Sequence, residues 1–281
     1  MELRGKTAVI TGGASGIGLA TARQFAAAGA NLVLGDIEGK PLAAAVEEIL
    51  SEGGKVVGLE TDVTKESDVI ALREAALKEF GGAHVIFNNA GVAAGPTIGT
   101  PTNVWQWVVD VDLMGVVYGM NAFVPLFLEQ NEGHVVNTAS LAGLGGVPGM
   151  GAYCAAKFAV VGMTESLFHE LRNRGVNVGA SALCPGFVKT RIHESQRNMP
   201  RELSSYAEDA QGSQFANVAG QAVMAGIDVE IVARAVEDAV VNNKFWILTH
   251  EHAALRTMEQ RLEWMKGGGP NGIDLLRATQ P

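Results

Sequence analysis

The chain has 281 residues, 47% of them hydrophobic and 18% charged, with a formal net charge of -9. A hydrophobic share of that size supports a large buried core, and α/β chains of this length often stay undivided, so one domain is expected over 1–281. The acidic balance argues against nucleic acid and anionic membrane surfaces as partners, because both reward clustered Lys and Arg.

The first predicted element is a strand over Thr7–Ile10, β-branched and apolar, ending at Thr11. It begins too close to Met1 for the charged region and apolar core of a signal peptide, so a cytoplasmic location is expected. Gly12, Gly13, Gly16 and Gly18 follow, with Ser15 and Ile17 between them, and a helical pattern runs from Ile17 to Ala28. Strand, glycine-rich turn and helix in that order make a phosphate site. The glycines let a pyrophosphate approach the backbone, and the amides at the positive end of the helix meet its charge. A second buried strand, Asn31–Leu34, leads to Asp36, eighteen residues after Gly18. There a carboxylate meets a ribose hydroxyl pair. It also repels a 2′-phosphate, and neither Ala14 nor Ile37 adds a basic group, so NAD is expected rather than NADP.

Further strands are predicted at Val56–Leu59, His84–Asn88, His134–Thr138, Asn177–Leu183 and Phe245–Leu248, alternating with helical stretches. The alternation implies an α/β, Rossmann-like, doubly wound parallel sheet of about seven strands with helices on both faces. Ligands bind such sheets beyond the carboxyl ends of the strands, where Gly12, Asn88, Ser140 and Pro185 fall. The run Gly133–Ala156 lacks Asp, Glu, Lys and Arg, but its six glycines and Pro148 read as strand plus active-site loop rather than a membrane span.

Within that run stand Ser140 and Tyr153, and Lys157 follows the Tyr by four residues. Residues at i and i+4 share a helix face, so ammonium and phenol face one cleft. A cation about 4 Å from a phenol at an effective dielectric near 20 favours the phenolate by about 4 kcal/mol, or roughly three pK units. Tyr153 is thereby expected to move towards neutral pH, where a general acid or base works best, while Ser140 holds the substrate oxygen. With the phosphate turn, this set points to a nicotinamide-dependent oxidoreductase.

The substrate pocket is expected from two stretches. Ala142, Leu144, Val147 and Met150 follow Ser140, and Phe187, Met199, Leu203, Tyr206 and Phe215 follow Gly186. Such a lining suits a secondary alcohol on an aromatic, alicyclic or steroid-like body. Arg191, Arg197 and Arg201 read as a solvated helix face rather than an anion site. Near the end, Leu255, Met258, Leu262 and Met265 recur at helical spacing before Gly267–Pro270, giving an amphipathic helix that covers the lid of its own chain or reaches a neighbour. Cys154 and Cys184 are too few for a disulfide framework and read as buried fillers. His84, His134 and His169 are scattered, and His250 and His252 read as surface residues, so no catalytic metal is expected.

Taken together, Thr11-Gly12-x-x-x-Gly16-x-Gly18, Asn88-Asn89-Ala90-Gly91, Ser140, Tyr153-x-x-x-Lys157 and Pro185-Gly186 resemble the short-chain dehydrogenase/reductase family, from about Lys6 to about Thr190. The resemblance implies that Thr11, Gly12, Ser15, Gly16, Ile17, Gly18 and Asp36 hold the cofactor, joined by Asp62 and Val63 on the adenine side and by Asn89, Ala90 and Gly91. Pro185 and Gly186 would line the nicotinamide, the Val188 backbone would hold its carboxamide, and Thr190 would meet the carboxamide or the pyrophosphate. Tyr153 and Lys157 would also touch the cofactor, with Ser140 orienting the alcohol. One position departs: Asp112 stands where the family carries an Asn that shapes a helix kink and a water link from the Lys to solvent. A carboxylate accepts from water and Lys, but it adds a charge and lacks the amide donor. Either the proton relay is altered, or the side chain is tolerated and its backbone carbonyl does the work. The family pattern further implies a mobile substrate lid over 187–225, a C-terminal extension over 249–281, and a homodimer or homotetramer built on the long helices around Trp105–Leu128 and Gly151–Leu171. The implied activity is NAD-dependent interconversion of a secondary alcohol and a ketone on a largely apolar substrate. The alternatives are a carbonyl or 3-oxoacyl reductase using NADPH and a non-catalytic NAD-sensing binding protein.

Overall fold

A computed structural model describes residues 1–203, 205–206 and 214–268; the side chain of Phe215 and residues 269–281 lie outside what it describes. Seven parallel strands form one sheet: β1 (Thr7–Thr11), β2 (Asn31–Asp36), β3 (Lys55–Glu60), β4 (Val85–Asn88), β5 (Gly133–Thr138), β6 (Val178–Leu183) and β7 (Trp246–Ile247), in the order β3-β2-β1-β4-β5-β6-β7. The chain turns from one half of the sheet to the other between β1 and β4, and a doubly wound sheet takes its ligand at that switch.

The sheet is buried on both sides, and the strands show it residue by residue. Ala8 and Ile10, Leu32 and Leu34, Val85 and Phe87 enter one apolar core. Their in-between neighbours Val9, Val33 and Ile86 enter the other. That period of two is the pleat, and both sets are apolar because helices cover both faces. Helices α1 (Gly16–Ala27) and α2 (Gly39–Ser51) pack on the first side with α8 (Val229–Asn242). On the second lie α3 (Glu66–Phe80), α5 (Gly115–Gln130) and α6 (Gly151–Arg174). Helix α3 begins with Glu66 and Asp68 and ends with Lys78, charges placed to suit its dipole, and Gly81 stops it in the left-handed conformation.

Two local features were not legible beforehand. Helix α4 (Thr102–Val109) runs into α5 through a single π-turn, Asp110–Met114, with Asp112 in its middle. The extra residue of a π-turn rotates the helix face, and it swings Asp112 inward to complete burial. Beyond β6, two short 3-10 turns, Ile192–Asn198 and Arg201–Leu203, precede α7 (Gln214–Met224), and α9 (Glu251–Met265) closes the described chain.

Candidate active site

All the positions expected to hold the cofactor, except Thr11 and Gly18, line one cleft of about 1060 Å³ at the carboxyl ends of the strands. The two exceptions build its floor. Thr11 Oγ1 accepts the amides of Asn89 and Ala90 at 3.0 and 3.1 Å, locking β1 to the loop after β4. Gly18 lies in the first turn of α1, where a Cβ would run into the carbonyl of Gly12, and Gly12 itself has φ +64 with Ala90 only 3.0 Å from where a Cβ would sit. A side chain at either place would push the turn away from the cleft. The N-cap Ser15 makes no side-chain cap bond to its own helix, so its hydroxyl and the first amides of α1 are left facing the cleft. This open helix start fits a pyrophosphate.

At the end of β2, Asp36 accepts from the Ala14 and Glu38 amides at 2.9 and 3.0 Å. Burial raises its pKa, and those two amides work against the rise. Each carboxylate oxygen keeps a further lone pair for a ribose hydroxyl. Asp62 is fixed by the amide and hydroxyl of Thr64 at 3.1 and 2.7 Å. Its burial favours the neutral acid, but those bonds and Lys65 outweigh it and lower its pKa.

Three strands across the sheet, Ser140 follows β5, and Tyr153 and Lys157 occupy the first two turns of α6, all lining the cleft. Ser140 Oγ accepts the Ala142 amide at 3.1 Å. Lys157 is 2% exposed. Its Nζ donates to the Thr138 carbonyl at 2.9 Å and lies 5.5 Å from the centre of the Tyr153 ring. Asp112 does not reach the cleft surface. One of its oxygens accepts the Val92 amide at 2.7 Å, and the other lies 3.4 Å from Lys157 Nζ.

The expected fall of the Tyr153 pKa is not seen in this state; it is raised. Burial is the main cause, the nearby Asp112 carboxylate adds to it, and the Ser140 hydroxyl works against it. The argument from spacing left out burial, the larger cause, and the carboxylate that stands beside the Lys157 cation. Asp112 itself is raised by burial and held down by Lys157 and the Val92 amide.

The pocket expectations divide. Ala142, Val147, Met150, Phe187 and Leu203 line the cleft as expected, joined by Trp107 and Val218. Leu144 does not: the 3-10 turn Leu141–Gly143 carries it into a core with Val116, Ala139 and Val160. Met199 and Tyr206 pack instead beside Val104 and Leu203, with the Tyr206 hydroxyl 3.4 Å from Thr100 Oγ1. Arg191 and Arg197 are not a free solvated face either. Arg197 meets Glu38 at 2.7 Å and Arg191 lies 3.7 Å from it, so this segment crosses to the Asp36 end of the cleft. Ser195 pins the same segment by accepting the Ala93 amide at 2.9 Å and donating to Ile192 at 2.6 Å.

His250 was read as a surface residue and is half-buried, with its Nδ1 accepting the Gly186 amide at 3.2 Å. It thereby props the Pro185-Gly186 turn from behind; spacing alone could not pair residues 64 apart. Both cysteines are buried, and burial raises their thiol pKa values, Cys184 to about 12.

Residues 6–201 match the family described as short chain dehydrogenase. The chain is 34% identical over 258 residues, 89% of each protein, to a CLA biosynthesis dehydrogenase/reductase of Lactiplantibacillus plantarum. It is 38% identical over 213 residues, 73% of this chain and 81% of the relative, to 3beta-hydroxysteroid dehydrogenase 2 of Eggerthella lenta. A solved short chain dehydrogenase/reductase from Burkholderia phymatum, in complex with NAD, has a TM-score of 0.91 at 40% identity, covering 97% of this chain and 98% of the other. A glycine-rich turn at a helix start, a carboxylate at the end of β2 and a Ser, Tyr and Lys set in one cleft agree with these likenesses: the chain belongs to the short-chain dehydrogenase/reductase family and is an NAD(P)-dependent oxidoreductase.

Proposed function

We propose that this protein is an NAD-dependent dehydrogenase that interconverts a secondary alcohol and a ketone on a bulky, largely apolar body. The observation that carries this reading is a single cleft with Asp36 towards one end, Ser140, Tyr153 and Lys157 towards the other, and Ala142, Val147, Met150, Trp107 and Leu203 among its apolar lining. When bound, the nicotinamide supplies the hydride acceptor or donor. Tyr153 takes the carbinol proton in oxidation and returns it in reduction, and Ser140 holds the substrate oxygen during the transfer. Lys157, whose Nζ lies 5.5 Å from the centre of the Tyr153 ring, would hold the ribose hydroxyls of the bound cofactor. The segment after Gly186, tied down through Ser195 and Arg197, acts as the lid that keeps water from the reacting carbon.

NAD is favoured because a 2′-phosphate at the Asp36 end would meet two carboxylates, Asp36 and Glu38. One observation speaks for the NADPH alternative: Arg191 and Arg197 stand at that same end. Arg197 is already bonded to Glu38 at 2.7 Å, so it leaves little uncompensated positive charge for a phosphate. A steroid-like or alicyclic alcohol agrees with the lining and with the hydroxysteroid activity in the name of one relative. A sensor that binds cofactor without turnover is disfavoured by the presence of all three reactive side chains.

A homodimer or homotetramer in the cytoplasm completes the proposal. Among the described residues one helix, Thr102–Gln130, is long and apolar enough to cross a membrane. It packs on β4, β5 and α3, and its half-buried apolar residues, among them Val117, Val124 and Leu128, suit a subunit contact. Fluorescence quenching of the tryptophans by NAD and NADP, followed by absorbance of reduced cofactor with a panel of alicyclic, aromatic and steroid secondary alcohols, tests the reading. Tighter NAD binding with turnover of a panel member is expected; tighter NADP binding with turnover confined to acyl thioesters would overturn it.

A further inference from the structure

The family resemblance calls for an amide at position 112, and this chain has a carboxylate. It is completely buried, on the π-turn between α4 and α5, 3.4 Å from the Nζ of a lysine that is itself 2% exposed. One Asp112 oxygen takes the Val92 amide and the other has no hydrogen-bond partner besides its approach to Lys157. With so little of either side chain exposed, solvent screens the pair only weakly. Whether the shared proton sits on the nitrogen or on the carboxylate, the two groups carry no net charge together. Tyr153, with the lysine Nζ 5.5 Å from its ring centre, therefore faces a dipole where an uncompensated lysine would present a full positive charge.

We propose that Asp112 is a positioning residue, a counter-ion to Lys157 that cancels the cation's pull on Tyr153, holds the phenol protonated at neutral pH, and so adapts the site to donate a proton, the step of carbonyl reduction. The inference rests on the proposed role of Tyr153 in proton transfer and adds a preferred direction to it. Reduction needs Tyr–OH at the start: the phenol proton goes to the carbonyl oxygen as the hydride reaches the carbonyl carbon, and the phenolate is reprotonated afterwards. Oxidation needs the phenolate at the start, and a raised phenol pKa withholds it until alkaline pH.

The other groups facing Tyr153 do not change the balance. Cys154 on α6 and Cys184 after β6 are both shifted towards the neutral thiol by burial, and the Ser140 hydroxyl carries no charge. Asp112 is the acid that faces the phenol and Lys157 the base. The raised Tyr153 pKa, caused by burial first and by Asp112 second, agrees with this arrangement.

The test is Asp112→Asn, which keeps an oxygen for the Val92 amide and exchanges the charged oxygen for a neutral amide donor, with Asp112→Ser as a second, smaller neutral variant that places no amide beside Lys157. Tyrosinate absorbance is titrated in the unliganded proteins, using Tyr153→Phe to identify the Tyr153 signal. In parallel, the pH dependence of alcohol oxidation is measured at saturating NAD. Both Asp112 variants should titrate Tyr153 at least about one pH unit lower than the parent, and the rising limb of oxidation should move down with it, about tenfold more rate on that limb. A Tyr153 midpoint that is unchanged or higher in both variants, with NAD still quenching their fluorescence as in the parent, would overturn the inference. A lowered midpoint without turnover of any alcohol or ketone would leave the counter-ion in place and sink the dehydrogenase reading instead.

Discussion

At Asp36 both carboxylate oxygens already accept backbone amides, from Ala14 and Glu38, so the side chain is held in one orientation before any ribose arrives. Charged hydrogen bonds of this kind contribute about 1.5–3 kcal/mol each. Asp36→Ala should therefore lower kcat/KM for NAD by roughly tenfold or more and improve NADP relative to it, since about 1.4 kcal/mol is a factor of ten. Initial rates with each cofactor check this, and an unchanged NAD to NADP ratio would remove Asp36 from the ribose site. His250 makes a second residue-scale case. Its Nδ1 must be unprotonated to accept from Gly186, and burial lowers its pKa in keeping with that. His250→Ala should raise the KM for cofactor more than it lowers kcat, and His250→Asn, which restores an acceptor, should recover most of the loss. Equal cofactor KM values in all three proteins would show that the Gly186 contact is idle.

Among the elements, β5 and β6 carry a buried polar link whose energetics depend on pH. His134 on β5 lies 2.7 Å from Ser181 Oγ on β6, and that hydroxyl donates to the Lys244 carbonyl at 2.7 Å. The serine proton is thus spent, and the imidazole serves as its N–H donor. Burial lowers the His134 pKa from 6.5 to about 3. An unfolded chain binds this proton below its ordinary pKa and the folded chain does not, so stability is lost as pH falls from about 6.5 towards 3. The loss from this one group between about pH 7.5 and pH 4.5 is about 2–3 kcal/mol. In urea melts, His134→Gln should show a shallower decline over that range than the parent, and parallel curves would assign the acid sensitivity elsewhere.

The strands were readable because their burial on both faces demands continuous apolar, β-branched runs, and the observed limits of β2, β5 and β6 lie within two residues of those read from the pattern. The π-turn was not readable: Asp110–Met114 carries the same residue types as the α-helix on either side, and only the hydrogen-bond register differs. Leu144 was placed in the pocket because it continues the apolar series after Ser140, and a 3-10 turn reversed its side. The contacts of Glu38 with Arg197 and of Gly186 with His250 join residues 159 and 64 apart, beyond any local pattern.

On the scale of the whole molecule, the fold brings side chains from opposite halves of the sheet to one edge. The order β3-β2-β1-β4-β5-β6-β7 sets the carboxyl end of β2 three strands from that of β5, so Asp36 and Ser140 face one cleft across the β1–β4 switch. The cleft's lining includes the apolar Trp107, Val147 and Leu203, the surface that the proposed bulky alcohol would meet. Tyr153→Phe isolates the claim at the centre of this account, because the ring keeps its packing and only the acid–base hydroxyl is lost. Reduced-cofactor absorbance should show turnover falling by at least about a thousandfold in the variant, within the range that a positioned acid or base contributes, while tryptophan quenching by NAD stays near the parent's. Turnover within about tenfold of the parent, with NAD still bound, would contradict the assignment of proton transfer to Tyr153.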